Sequence, residues 1–481
     1  MTEEIGFVKS SRDFLVRIEG LPTAKLNDLV ESESGIRGWV SALYPEEIEV
    51  LLIDEGDVRP GTKFKKLPQS LSIKVGDFLI GRVVNPLGEQ IDGKPLGEKK
   101  VADMSLEKVA VGISGREVIT NQLTTGVTMI DTLIPLGKGQ RELILGDARS
   151  GKTNFVMDII INQKHTGMIC VYALIGKSVA EVKGLIDLLR KNGAMDYTTV
   201  VVASSADPTP QIFLAPKTAM TLAEYFQSTG KDVLLILDDM GSHAKIYREI
   251  SLLGGRSPGR ESYPGDIFYQ HAHLLERAGN FINGASISAL PVIELDLNDF
   301  STLIPTNLMA MTDGHLLFRA AISNRGQRPA IDISLSVSRV GRQTQNHLQD
   351  LLSTKIRQVL AQASQYETIS RFSFELPPET KQILNWRDLI SEMLKQQPLT
   401  FISPETQVVM MGLIFTSFYK NKDVLFLQQS RDKVREWLEK DPQLKKIPNE
   451  AFKMENEEEL FKKLEEIVPR LTELVGDHGS T

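Results

Sequence analysis

Leu143-Ile-Leu-Gly-Asp-Ala-Arg-Ser-Gly-Lys-Thr-Asn154 is the stretch on which the rest of the chain turns. The apolar run from Leu143 to Leu145 reads as a strand. It enters a loop of the form Gly146-x-x-x-x-Gly151-Lys152-Thr153, and a helix-like run over 154–163 leaves it. Strand, glycine-rich loop and helix in that order are the context of a phosphate-binding loop. Gly146 and Gly151 let successive backbone N–H groups curl round a phosphate, with Asp147, Ala148, Arg149 and Ser150 carrying the chain between them. Lys152 adds a point charge for the β- and γ-phosphates, and the Thr153 hydroxyl is a ligand for Mg²⁺. The helix behind presents its positive end to the anion. The bland alternative is a chance glycine turn ahead of an amphipathic helix. The stretch favours a chain that binds a nucleoside triphosphate.

Composition sets the frame around that loop. At 481 residues the chain has room for about two to four domains and a large core. Its 62 acidic residues exceed 55 basic ones for a net charge of −7, so no basic surplus argues for nucleic acid. The single cysteine, Cys170, lies in the apolar run Met168-Ile-Cys-Val-Tyr172 and reads as a small buried hydrophobe, with no disulfide framework. That suits a reducing compartment. No apolar run has the length to span a bilayer, and Thr2-Glu-Glu-Ile-Gly6 is no signal or transit peptide. The chain is expected in the cytosol or bound to something in the cytosol.

Upstream of the loop, residues 7 to about 80 are short β-type runs such as Asp13-Phe-Leu-Val-Arg-Ile18 and Ile48-Glu-Val-Leu-Leu-Ile53. Turn signals break them at Gly35, Gly38, Tyr44-Pro45, Glu55-Gly56-Asp57 and Arg59-Pro60-Gly61. Short strands at this spacing predict a small antiparallel barrel over residues 1–80. Few aromatics and no basic run favour a collar over an oligonucleotide site. From 81 to 345 the pattern becomes βα alternation. Apolar runs recur over 168–174, 199–203, 233–237, 288–293 and 315–318, with helical patterns over 182–190 and 218–226. This predicts a mostly parallel sheet buried on both faces. From 346 to 481 the chain reads as helical: Leu348, Leu351, Leu352, Ile356, Val359, Leu360 and Ala363 form one stripe. An amphipathic segment over 455–474 follows, and the last residues, from Gly476, are expected to fray. The expected fold is a multidomain chain of β-barrel, α/β phosphate-loop domain and helical domain.

A second chemical element is Val233-Leu-Leu-Ile-Leu-Asp238-Asp239. A carboxylate at the carboxyl end of a buried strand, beside a phosphate loop, can hold Mg²⁺ through water. Asp238, first after the apolar run, is the better candidate, with Asp239 its neighbour.

Longer stretches carry a resemblance. Leu253-Gly-Gly-Arg-Ser-Pro-Gly-Arg260-Glu261-Ser-Tyr-Pro-Gly265-Asp266-Ile-Phe-Tyr-Gln-His-Ala-His-Leu-Leu-Glu276-Arg277-Ala278 resembles the signature of rotary ATPases, as do Leu303-Ile-Pro-Thr-Asn307 and Thr312-Asp-Gly314. So do Val84-Asn-Pro-Leu-Gly-Glu-Gln-Ile-Asp-Gly93 and the run from Gly126 to Arg141. The run Gly326-Gln-Arg328-Pro329-Ala-Ile-Asp-Ile-Ser-Leu-Ser336-Val-Ser338-Arg339-Val-Gly341 is similar to the α subunits of F-type ATP synthase. These matches keep their order over nearly the whole chain. The resemblance implies a three-domain subunit binding ATP or ADP with Mg²⁺, in a hexamer alternating with β-type catalytic subunits around a central rotor shaft and held by a stator stalk. It further implies coupling of ion flow, normally of protons, to ATP synthesis or hydrolysis. It makes Arg339 an arginine finger for the neighbouring catalytic site. Without it, Arg339 would read as salt-bridged within its own sheet.

One position separates members of this family. Catalytic subunits carry a glutamate after the strand that follows the phosphate loop, and α subunits usually a glutamine. Here that strand ends Ala173-Leu-Ile-Gly176-Lys177, and an ammonium cannot align or deprotonate a water as a carboxylate does. Glu181 falls on the following helix and is not counted. ATP binding without efficient hydrolysis is expected. The alternatives are a homohexameric ATP-driven secretion or translocation ATPase, or an α-like subunit of a non-synthase machine. Departures from the α pattern are Ala148-Arg149 inside the loop, Gly254-Gly255 in place of a bulky pair, and a barrel that begins without the family's helical extension. They leave room for a specialised α-like paralogue. Gln396 and Gln397 resemble the family's glutamine-bearing turn at the adenine pocket.

Overall fold

The computed structural model describes residues 4–94, 101–282, 284–295, 299–370 and 377–477. Of the tail expected to fray from Gly476, Gly476 and Asp477 still belong to the last described helix, and residues 478–481 lie outside the described residues. Contacts divide the chain into two compact units, and the division does not follow chain order. The first holds residues 1–118, 138–148 and 163–316, the second residues 119–137, 149–162 and 317–481. Among the described residues no helix is long and apolar enough to cross a membrane.

The first unit opens with a closed antiparallel barrel of β1 (Ile5–Arg12), β2 (Leu15–Glu19), β3 (Asp28–Ser32), β4 (Arg37–Leu43), β5 (Ile48–Leu52) and β6 (Lys63–Ser70), in the order β1-β2-β5-β4-β3-β6. Alternation fills it: Val16 and Ile18 of β2 point in beside Val8, Val30, Val40, Val50 and Phe64, with Arg17 between them facing out. Register shifts after Val8, Asp28 and Val40 bend the strands enough to close the ring.

Behind the barrel in sequence comes a parallel sheet. The phosphate-loop strand Glu142–Gly146 pairs with Ser286–Glu294, that with Val233–Asp238, that with Ile169–Lys177, that with Thr198–Ser204, and the last with Val83–Val84. Every residue of Val233–Asp238 is buried, as expected of a strand covered on both faces. Helices Thr209–Ser228 and Met240–Leu253 lie against these strands. The apolar runs over 168–174, 199–203, 233–237 and 288–293 fall on these strands, with boundaries shifted by one to three residues.

One polar tie belongs to the same unit. Arg277 is buried and bidentate on Glu224, Nε to Oε1 at 2.9 Å and Nη2 to Oε2 at 3.0 Å. It also donates to the Leu106 carbonyl at 2.8 Å and to Thr221 Oγ1 at 3.1 Å, so these four bonds engage all three guanidinium nitrogens. Gly254, the first of the glycine pair, meets the barrel. Arg17 Nη2 donates to the Gly254 carbonyl at 3.1 Å, and a Cβ at Gly254 would stand 3.1 Å from Glu49 Oε2. Bulky residues there would press on the fully buried Glu49, which Arg256 also reaches at 3.1 Å.

The second unit is helical in its C-terminal part. In His347–Ser370, Leu348, Leu352, Ile356, Val359 and Ala363 are buried, and Leu351 and Leu360 half-buried at the edge of the stripe. The last described helix, Glu457–Asp477, buries Leu460, Leu464, Ile467 and Leu471. Asp131 anchors the short helix Thr128–Leu133. It is wholly buried, and its carboxylate accepts from Thr125 N, Thr125 Oγ1, Gly126 N and Gln407 Nε2 at 2.7–3.0 Å.

Candidate functional site

The phosphate loop runs from Gly146, last residue of its strand, to the helix Lys152–Asn162. Gly151 has φ +99° and Arg149 φ +58°, so both backbone kinks the loop needs are present. Asp147, Ser150 and Lys152 are buried, while Thr153 and Arg149 are exposed. The helix begins with Lys152 and has no acidic residue in its first turn, which keeps its positive end for an anion.

The same sheet aligns the loop's strand with the acidic one. Gly146 is level with Glu294, and Val292 is level with Asp238 on the far side of that strand. Asp238 is in turn level with Leu174, three residues short of Lys177 at the end of its strand. Parallel strands therefore deliver Gly146, Asp238 and Lys177 to one edge, the carboxyl ends, where open α/β sheets bind ligands.

Asp238 is 2 % exposed and both its oxygens are engaged. Lys177 Nζ lies 2.8 Å from Oδ1, and the buried Tyr172 hydroxyl donates to Oδ2 at 2.9 Å. Burial opposes the Lys177 ammonium, but the Asp238 charge outweighs it and holds the lysine above its ordinary value. The ammonium is charged at neutral pH.

Asp239 does a different job. It is the N-cap of Met240–Leu253, accepting from Ser242 N at 2.5 Å, and also takes the Glu294 N–H at 3.3 Å. Glu181 is likewise committed. It closes a capping box with Ser178 at the start of Val179–Lys191, accepting from Ser178 N and Oγ at 3.2 and 2.8 Å. Both acids line one polar pocket with Lys177 while making these cap contacts. The sequence had put Glu181 on the helix but gave no signal of the box beyond the Ser-x-x-Glu spacing.

These residues fit Mg²⁺ only in part. Thr153 offers an exposed hydroxyl, but the Asp238 carboxylate already has an ammonium on one oxygen and a hydroxyl on the other. Among the described residues no cluster of three or more His, Cys, Asp or Glu could hold a metal.

In the second unit the loop's Ser150 and Gly151 line a narrow cleft of about 20 Å³ with Asn154, Asp158, Arg328 and Gln397. Asp158 accepts the Leu399 N–H at 2.5 Å, and burial pushes its carboxyl up to about 6. Gln396 also reaches this cleft, but its side chain is spent inside the protein. Its Oε1 accepts from Thr128 N and Oγ1 at 3.0 Å, and its Nε2 donates to the carbonyls of Gly126 and Thr400 at 2.7 and 2.6 Å. All its hydrogen-bonding capacity is used, whereas Gln397 is exposed.

Arg339 is exposed and has no hydrogen-bond or ion-pair partner among the described residues. Its flanks are fixed. Ser338 Oγ donates to the Pro135 carbonyl at 2.7 Å and accepts from Gly341 N at 3.1 Å. A Cβ at Gly341 would lie 1.5 Å from the Pro135 oxygen, so no other residue fits there. A free guanidinium on a pinned loop is not the salt-bridged arginine that the residues alone allowed.

Comparison with known proteins gives the family. The nucleotide-binding domain of the ATP synthase alpha/beta family matches residues 126–338, and the C-terminal domain of the ATP synthase alpha/beta chain matches residues 345–470. The chain is 38% identical over 488 residues to ATP synthase subunit alpha of Mycoplasmoides gallisepticum, covering 100% of this chain and 94% of that one. It is 42% identical to the subunit alpha of Mycoplasma genitalium, over 82% of this chain and 76% of that one. For the Mycoplasma pneumoniae subunit alpha the values are 40%, 91% and 85%. This chain belongs to the ATP synthase alpha/beta family.

Proposed function

We propose that the chain is the α-type, ATP-binding but non-catalytic subunit of an F-type rotary ATPase. What carries this is Lys177. It ends the strand where a catalytic subunit needs a carboxylate, and its charge is bound to Asp238 rather than offered as a base. An ammonium cannot accept a proton from the attacking water. Phosphate grip without a general base gives binding without efficient turnover. The division into residues 1–80, 81–345 and 346–481 belongs to the same proposal.

The nucleotide, ATP or ADP, would be held by residues 146–153, with Lys152 on the terminal phosphates. Gln397 would meet the base once the cleft widens, with Gln396 bracing the turn beneath it. Mg²⁺ accompanying the nucleotide would take Thr153 as a ligand. The water-mediated contact expected of Asp238 competes with Lys177.

Arg339 acts in trans. Its exposure and lack of a partner support a finger that stabilises transition-state charge on a nucleotide gripped by a β-type neighbour. The partners are β-type subunits in a hexamer, a central rotor shaft and a stator, with peripheral attachment at the cytoplasmic face of the membrane and proton flow coupled to ATP chemistry.

Equilibrium ATP binding and phosphate release on the purified chain test the proposal. Binding with negligible release is expected. Robust turnover would favour the homohexameric motor instead, and no binding would remove the site.

A further inference from the structure

We infer that Lys177 is a resident cation on Asp238, occupying the place of the metal contact, so that this chain binds ATP with little dependence on Mg²⁺. The inference rests on the nucleotide-binding reading above and concerns the same site.

Three observations carry it. The ammonium is 2.8 Å from Oδ1 of a carboxylate that is almost fully buried, and the Lys177 side chain itself is only 19% exposed. The second oxygen is taken by the Tyr172 hydroxyl at 2.9 Å, and Tyr172 is fully buried and cannot swing away freely. The neighbouring acids are committed as well: Asp239 to Ser242 N and Glu294 N, Glu181 to its capping box, Glu261 to Leu303 N at 3.0 Å.

A hydrated divalent ion reaching Asp238 would have to displace Lys177. That strands an ammonium in a mostly buried place beside a second cation, which the low local dielectric penalises. Lysine also does part of what the metal does. It is a compact point charge with three N–H donors, and only one is needed by Asp238. The others remain for a phosphate oxygen. Glutamine, the usual α-type residue, is neutral and leaves the carboxylate open to water and metal.

The test is ATP binding to the full-length chain by calorimetry, once in excess Mg²⁺ and once in EDTA, with wild type and Lys177→Gln. Wild type should hold ATP with affinities within about threefold in the two media. Lys177→Gln should lose metal-free affinity by about ten- to a hundredfold, the worth of a charge-assisted hydrogen bond, and recover much of it with Mg²⁺. The wild-type ratio needs no variant, so a misfolded variant cannot shield the inference. Wild type that binds ATP only with Mg²⁺ overturns the resident cation and leaves the nucleotide site standing. Equal metal dependence in wild type and Lys177→Gln overturns it too. Wild type that binds ATP in neither medium overturns both.

Discussion

Single residues divide into those left exposed and those that hold the frame, and the adjacent glutamines show how sharply. Gln396 satisfies Thr128, Gly126 and Thr400 with its one side chain, whereas the exposed Gln397 spends nothing on them. Gln397→Ala is therefore expected to weaken ATP binding by about 1 kcal/mol while the melting temperature holds. Gln396→Ala should do the reverse, leaving buried donors and acceptors unpaired at about 1–3 kcal/mol of stability. Paired calorimetry and thermal melts distinguish them, and equal loss of affinity in both variants would refute the division. The sequence offered the two as a pair. Telling them apart needs partners some 270 residues upstream in the chain, Thr128 and Gly126, which no local pattern contains. The pairing of Lys177 with Asp238 was out of reach for the same reason. Both residues were legible as strand ends, but that the two strands are neighbours is a fact of sheet topology.

At the scale of elements the sequence was most informative where burial is two-sided. Val233–Asp238 and Thr198–Ser204 carry continuous apolar runs over 233–237 and 200–203 because both faces of the sheet are covered, and such runs stand out unaided. Polar ties between elements were not legible. Arg277 lies in the stretch that resembles the rotary ATPase signature, and it binds Glu224 on helix Thr209–Ser228. Arg277→Met should leave that carboxylate buried with only Lys108, 3.4 Å away and half exposed, for company. The expected loss is about 3 kcal/mol, with part regained in Arg277→Met/Glu224→Gln. Denaturant melts of the three proteins decide it, and an Arg277→Met curve that overlays wild type would count against the tie. The Ser178–Glu181 box makes a smaller claim. Ser178→Ala should cost about 1 kcal/mol, seen as faster amide exchange in the first turn of Val179–Lys191 and not elsewhere.

For the molecule as a whole, buried titratable groups set how stability responds to pH. His243 and His271 are fully buried and touch through Nδ1 and Nε2 at 3.1 Å. Burial holds both below the ordinary histidine value, with His271 and Lys217 adding to it at His243, and His271 falls to about 4. The folded state thus keeps them neutral. Their contribution is complete above pH 6.5 and is lost as pH falls from there toward 4, by about 1 kcal/mol for His271 at pH 5.5. Asp131 and Asp158, pushed up to about 6 by burial, titrate with the opposite sign and offset part of this. The histidine share is therefore read as the difference in melting temperature between wild type and His271→Asn at pH 7.5 and 5.5. It should narrow at the lower pH, and a constant difference would contradict the assignment.

The central claim is that this chain binds its own nucleotide idly and completes the chemistry of a neighbour. It is tested most directly by Arg339→Ala reconstituted with the β-type partner, measuring phosphate release by the hexamer and ATP binding by the isolated variant. An arginine finger is worth roughly 10³–10⁵ in rate, on the order of 4–7 kcal/mol. Phosphate release should fall by orders of magnitude, Arg339→Lys should not restore it because a point charge lacks the planar fork, and binding to the isolated chain should stay within a few-fold. Release that survives the substitution, or binding that collapses with it, would make Arg339 a residue of its own subunit and contradict the account.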